Sequence, residues 1–284
     1  MGICANYLDI IYSILFIQYY LFNIILNISN QVFNIMENDK KSTLIMIMAG
    51  GLGKRMNSSL PKVLHRVFNR PMLIHVITTA LAINPYRICI IVGKYRKIIE
   101  ETVNMSIENG TLHISSDKIE YIDQPEALGT GHAVMCCNNY IQANRHMINN
   151  VVILSGDVPF IKSDTIGNLS MMKTDIAATI LVANLENPYG YGRIILSDTD
   201  PDIVADIVEE RDCNPDQKLI KLINGGIYCF NCDVLMEYID KISNNNSQQE
   251  YYLTEIFRLM TNDGNKISYK LLCEDEIIEI TGVN

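Results

Sequence analysis

Between residues 42 and 186 the chain alternates unbroken apolar runs with segments whose apolar positions recur at helical spacing. Residues 44–49 carry no polar side chain, which is the pattern of a parallel strand covered on both faces. Residues 87–92, 119–122, 151–155 and 176–183 read as further strands, and 72–83, 95–103, 131–140 and 164–172 as helices. Alternating units of this kind predict an α/β fold: a mixed, mainly parallel sheet with helices on both faces. Ligands in such sheets sit at the carboxyl ends of the strands. Two strands end there in suggestive residues, one in Gly50-Gly51 and the other in Gly156-Asp157.

After Asn187 the texture changes. Short β-rich pieces cover 192–196, 203–208 and 221–230, followed by helices over 233–242 and 252–260 with a polar loop at 244–249. Residues 266–272 and 277–281 read as the last strands. The expectation is one domain with two halves, about 42–186 and about 187–284, the second a lobe continuous with the first.

Residues 1–36 stand apart. As far as Phe33 they are rich in Ile, Leu, Phe, Tyr and Asn, with Asp9 the lone charge, and residues 10–28 carry none. That length can span a membrane, with Lys40 and Lys41 then holding the remainder on the cytoplasmic side. Gln18, Asn23 and Asn27 make insertion costlier. A second reading is an added helix packed on the domain. A third, which the composition favours, is that translation starts at Met36, because the segment resembles translated AT-rich DNA. Under each reading residues 37–284 are the functional domain. The basic n-region of a secretory signal is missing, and a cytoplasmic protein is expected.

The formal net charge of −9 argues against a broad nucleic-acid surface but allows a local cationic pocket. The eight Cys form no regular framework, so reduced thiols are expected. Cys229-Phe230-Asn231-Cys232 lacks the second ligand pair of a zinc site and reads as buried, inert thiols.

The chemistry concentrates in Ala49-Gly50-Gly51-Leu52-Gly53-Lys54-Arg55-Met56, followed by Pro61-Lys62. Glycines let backbone N–H groups approach an anion closely, and cations beside them neutralise a polyphosphate. The spacing is neither that of a Walker A loop nor G-x-G-x-x-G, so a standard kinase or dinucleotide site is disfavoured.

This loop, with Pro61-Lys62-Val63-Leu64, resembles the signature of sugar-1-phosphate nucleotidyltransferases. Leu128-Gly129-Thr130-Gly131-His132-Ala133, Gly156-Asp157-Val158-Pro159 and Gly190-Tyr191-Gly192-Arg193-Ile194 narrow the match. Ile207-Val208-Glu209-Glu210, Ile223-Asn224-Gly225-Gly226-Ile227 and Glu250-Tyr251-Tyr252-Leu253-Thr254 extend it over about residues 42–284. Their order and spacing are similar to the uridylyltransferase half of the bacterial bifunctional enzyme that makes UDP-N-acetylglucosamine.

The resemblance implies a Rossmann-like nucleotide-diphospho-sugar transferase fold, with a nucleotide-side half and a sugar-side lobe. It also implies Mg²⁺-dependent transfer of a uridylyl group from UTP to N-acetylglucosamine 1-phosphate. By resemblance, Ala49, Gly50, Gly51, Gly53 and Gly156 hold the nucleotide, and Arg55 stabilises the departing pyrophosphate. Lys62 sits between the α-phosphate and the sugar phosphate; Gln124, Gly129 and Thr130 read the base. Gly192, Glu209, Asn224, Tyr252 and Thr254 contact the sugar. Asp157 and Asn284 of Gly282-Val283-Asn284 ligate the metal. Asp157 taken alone also reads as a helix N-cap. His132 is assigned to helix-start structure, since an ionised sugar phosphate needs no base, and Cys136-Cys137 on the same helix to the core.

Some positions depart from that pattern. Lys54 stands where a small hydroxyl residue is usual, and Ser155 where the bacterial enzyme usually has Tyr. The hexapeptide repeats of the bifunctional enzyme's acetyltransferase domain are absent, so neither acetylation nor trimerisation through that domain is expected. Alternatives are transfer to glucose 1-phosphate from UTP or dTTP, a non-catalytic nucleotide-binding homologue, and a membrane scaffold resting on residues 10–28 alone.

Overall fold

The computed structural model describes residues 42–51 and 58–282. The expectations for residues 1–36 and for Gly53, Lys54, Arg55 and Asn284 lie outside the described residues. In chain order the strands are β1 (Ser42–Met48), β2 (Arg66–Val67), β3 (Arg70–Pro71), β4 (Arg87–Val92), β5 (Ile119–Asp123), β6 (Ile148–Ser155), β7 (Ile176–Asn184), β8 (Arg193–Leu196), β9 (Val204–Val208), β10 (Leu222–Asn231) and β11 (Lys266–Leu271). The helices are α1 (Met72–Leu81), α2 (Arg96–Glu108), α3 (Thr130–Met135), α4 (Asn138–Asn144), α5 (Ser163–Ser170), α6 (Cys232–Tyr238) and α7 (Glu255–Asn262).

The main sheet runs β11-β7-β10-β6-β1-β4-β5, with β8 and β9 branching from β10. β1 lies between β6 and β4 and is parallel to both, and β5 continues the parallel part. These are the strands joined by helical crossovers, which demand a parallel return. β10 instead follows the β8–β9 hairpin and enters antiparallel between β6 and β7; β11 is parallel to β7.

The apolar run of β1 is explained by its two faces. Leu44 and Met46 enter one core layer and Ile45 and Ile47 the other, all fully buried. α7 covers the first layer with Ile256, Phe257 and Met260, and Phe257 stacks on Phe230 at 5.3 Å between ring centroids. α1 covers the second with Leu73, Ile74, Val76 and Ile77. Cys229 is buried in β10, where burial pushes its thiol up to about 12, and Cys232 is buried at the start of α6.

Three segments differ from their sequence reading. Residues 131–140 are two helices, α3 and α4, parting at Cys136-Cys137; Cys137 is buried, and Asn138 donates to Asp240 at 2.6 Å where the second helix begins. Residues 252–254 are irregular, α7 starting only at Glu255. Residues 277–281, expected as a strand, belong mainly to a 3-10 helix, Glu274–Ile280. Its reason is electrostatic: i,i+3 side chains align in a 3-10 turn, so Glu276 and Glu279 both face Lys162, at 3.9 and 2.9 Å. A strand would send them to opposite faces. Among the described residues no helix is long and apolar enough to cross a membrane.

Candidate active site

The carboxyl ends of β1 and β6 lie side by side, Met48 paired with Ser155. Gly156 N donates to Met48 O at 3.0 Å, and a side chain at Gly156 would come within 3.0 Å of Met48 O and Val63 Cγ1. A side chain at Gly50 would likewise lie 3.0 Å from Gln124 Oε1. Lys62 opens a 3-10 turn, Lys62–Leu64, anchored by buried Val63 and Leu64. Its Nζ lies 2.6 Å from Asp157 Oδ2, with each side chain 19% exposed. Ser155 Oγ donates to Asp157 Oδ1 at 2.6 Å. Asp157 is not a helix N-cap, since α5 begins at Ser163 behind Lys162.

The end of the described chain returns to the same carboxylate. Glu279 is fully buried, accepting from Lys162 N at 3.0 Å while pairing with its Nζ. Ile280 is buried beside it, and Gly282 then lies so close that an added Cβ would be 3.2 Å from Asp157 Oδ2.

A single carboxylate facing a phosphate-sized space suits Mg²⁺, which is commonly held by one or two carboxylates together with substrate phosphates and water. Among the described residues no cluster of three or more His, Cys, Asp or Glu could hold a metal by itself. Asp157 fits that substrate-assisted mode, being partly exposed and lining the spaces on both sides of it.

On one side a cavity of about 310 Å³ is lined by Gly50, Gly51, Lys62, Gln124, Gly129, Thr130 and Asp157. Gln124 is buried, and its Nε2 donates to Gly129 O at 3.0 Å. Gly129 has φ +115°, and a Cβ there would meet Tyr251 O at 2.5 Å. This loop is sewn to the distant 251–253 segment. Tyr251 N donates to Leu128 O, Gly131 N to Tyr251 O, and Leu253 N to Thr130 Oγ1. His132 Nδ1 donates to Glu126 O at 3.0 Å, a structural contact at the start of α3.

On the other side a cavity of about 290 Å³ is lined by Gly192, Glu209, Asn224 and Thr254. Glu209 Oε1 accepts from Thr254 Oγ1 at 2.8 Å, and burial pushes the Glu209 carboxyl above its ordinary value despite that hydrogen bond. Asn224 accepts from Gly226 N at 3.0 Å and donates to Tyr228 Oη at 2.7 Å. Tyr252 does not line this cavity. It faces an adjoining recess of about 220 Å³ with Glu209 and Thr254, and its hydroxyl accepts from Gln248. Met48, Thr130, Ser155 and Asp157 line both main cavities and form their common wall.

One pair at the second cavity's rim has no role assigned from the sequence. Arg193, 1% exposed, donates through Nη2 to Glu210 Oε2 at 2.7 Å and through Nη1 to Tyr191 O. Glu210 Oε2 also accepts from Gly190 N at 3.1 Å. The pair thus straps the 190–192 loop over the second cavity. A cation opening an otherwise apolar strand was the available signal.

The pattern of the Nucleotidyl transferase family matches residues 44–275. A protein of Acanthamoeba polyphaga mimivirus, named "Probable UDP-N-acetylglucosamine pyrophosphorylase", is 39% identical over 243 residues, 84% of this chain and 91% of that protein. "Bifunctional protein GlmU" of Clostridium botulinum is 38% identical over 241 residues, 84% of this chain; the chain spans 49% of that relative's length. A solved UDP-glucose pyrophosphorylase complexed with UDP-glucose superimposes with a TM-score of 0.65 at 16% identity, covering 84% of this chain and 97% of that one, and thereby shares the fold. A family pattern spanning residues 44–275 and a relative 39% identical over 91% of its own length make the chain a member of the Nucleotidyl transferase family.

Proposed function

We propose that the protein is a Mg²⁺-dependent UDP-N-acetylglucosamine diphosphorylase. UTP would bind in the cavity of Gly50, Gln124 and Gly129, and N-acetylglucosamine 1-phosphate in that of Gly192, Glu209 and Asn224. The observation carrying this reading is the common wall: Asp157 lines both cavities with Lys62 held against it. The name of the mimivirus relative supports the N-acetyl sugar and the uridine nucleotide.

In the proposed reaction a phosphate oxygen of the sugar phosphate attacks the α-phosphorus of UTP in line. The bond from that phosphorus to the bridging oxygen breaks, and pyrophosphate leaves with the electron pair. Both reactants are anions, so the protein's task is positioning and charge neutralisation rather than covalent catalysis. Lys62 brings a compact cation to the meeting point of the two phosphates. The glycine loop lets backbone N–H groups approach the triphosphate. Arg55 and Asn284 keep their proposed roles, on pyrophosphate and metal. Glu209, which Thr254 orients, accepts from sugar hydroxyls. Bound Mg²⁺, held by Asp157 and Asn284, would neutralise charge on the phosphates.

Pyrophosphate release from UTP and dTTP, with a panel of sugar 1-phosphates and with or without Mg²⁺, tests this reading. Release is expected with UTP, N-acetylglucosamine 1-phosphate and Mg²⁺. A preference for glucose 1-phosphate would replace the sugar assignment, and nucleotide binding without any turnover would replace the enzymatic one.

A further inference from the structure

We infer that Ser155 is a positioning residue that holds the Asp157 carboxylate in the plane needed for a divalent cation. The inference rests on the proposed reading of Asp157 as the metal carboxylate. A carboxylate on a short side chain turns easily about its last torsion, where the energy wells are broad. Here its two oxygens have different partners: the neutral Ser155 hydroxyl on Oδ1 and the Lys62 ammonium on Oδ2, each at 2.6 Å. Gly282 closes the Oδ2 side further, since a Cβ there would be 3.2 Å away.

These partners are not equivalent during a reaction. Lys62 lines the nucleotide-side cavity, and an incoming phosphate competes with Asp157 for its ammonium. When Lys62 turns toward phosphate, Oδ2 loses its partner. Ser155 bears no charge, so an incoming phosphate draws on its hydroxyl less strongly than on the Lys62 ammonium, and the bond to Oδ1 keeps the carboxylate plane through the exchange. Ser155 also lines both cavities, which puts its hydroxyl at the junction of the two phosphates and not in the distant core. A Tyr at this position would carry its hydroxyl at the tip of a rigid ring, past a carboxylate only two residues on. The contact therefore belongs to a small hydroxyl residue.

Outer partners of metal ligands typically contribute about 10–100-fold in metal affinity or activity. Titration of the protein with Mn²⁺ in the presence of UTP and without sugar 1-phosphate, followed by electron paramagnetic resonance, reads the effect without turnover. Ser155→Ala is expected to weaken Mn²⁺ binding about tenfold and to raise the Mg²⁺ concentration needed for half-maximal activity. Ser155→Thr is expected to restore both. Parent-like Mn²⁺ binding by Ser155→Ala, while Asp157→Asn loses it, would overturn the role of Ser155 and leave the reading of Asp157 intact. Parent-like binding by Asp157→Asn would overturn that reading itself. A lowered melting temperature in Ser155→Ala with unchanged Mn²⁺ affinity, or Ser155→Thr binding as weakly as Ser155→Ala, would also reject the inference.

Discussion

Lys62 Nζ lies 2.6 Å from Asp157 Oδ2 at the wall that the two cavities share. Each side chain keeps 19% of its surface exposed, so the pair stays within reach of a bound phosphate, and its proposed consequence is functional. Removing one charge stabiliser from such a site typically lowers kcat about 10²–10³-fold. Lys62→Met and Asp157→Asn are each expected to fall in that range in pyrophosphate release, a loss read on protein confirmed as folded by its melting transition. The double variant should lose much less than the product of the single losses if, as proposed, the two groups act on the same phosphates. Fully multiplicative losses would show that they act independently.

Gly129→Ala tests the seam between the halves of the chain. A non-glycine residue at strongly positive φ costs about 1–3 kcal/mol, and here the new methyl would also meet Tyr251 O at 2.5 Å. The expected outcome is a clear fall in melting temperature with a raised KM for UTP. A parent-like protein would mean that the loop yields more easily than its hydrogen bonds to residues 251–253 imply.

Glu209 carries a pH signature. Its carboxyl is raised by burial, so the folded state keeps its proton to a higher pH than the unfolded chain does. Between those two pKa values the native state binds more protons, and stability falls as pH rises. Glu209→Gln removes this contribution. Its melting temperature relative to the parent should therefore rise as pH increases from about 4.5 toward neutrality, the window opening at the ordinary Glu value. Thermal scans across that range check the sign, and a difference that moves the other way would refute the assignment.

The strap between Arg193 and Glu210 predicts a combined effect. Breaking a buried ion pair by deleting one partner costs about 3–5 kcal/mol, and Arg193 is 1% exposed. Glu210→Ala should approach that loss in denaturant titrations. Glu210→Gln, which keeps an acceptor for Gly190 N and Arg193 Nη2, should lose less. Both should raise the KM for the sugar 1-phosphate more than that for UTP, because the strapped 190–192 loop lines the cavity proposed for the sugar phosphate and not the one proposed for UTP.

Much of this protein is decided by local pattern. The apolar runs of β1, β4 and β6 specify strands buried on two faces, because each successive side chain must enter one core layer or the other. Gly50 and Gly156 are legible as close approaches, and Asp157 as the polar end of an apolar strand. What the residues alone left undecided is which distant groups meet. Leu253 reaches Thr130 across 123 positions, and Lys162 reaches Glu279 across 117. The second contact helps turn an expected strand into a 3-10 helix and delivers Gly282 to Asp157. Arg193 finds Glu210, Ser155 finds Asp157, and Tyr252 turns to a neighbouring recess, all for the same reason. Periodicity records which face of an element is buried, but a side chain's partner depends on how separate elements cross, and only the packed tertiary structure decides that.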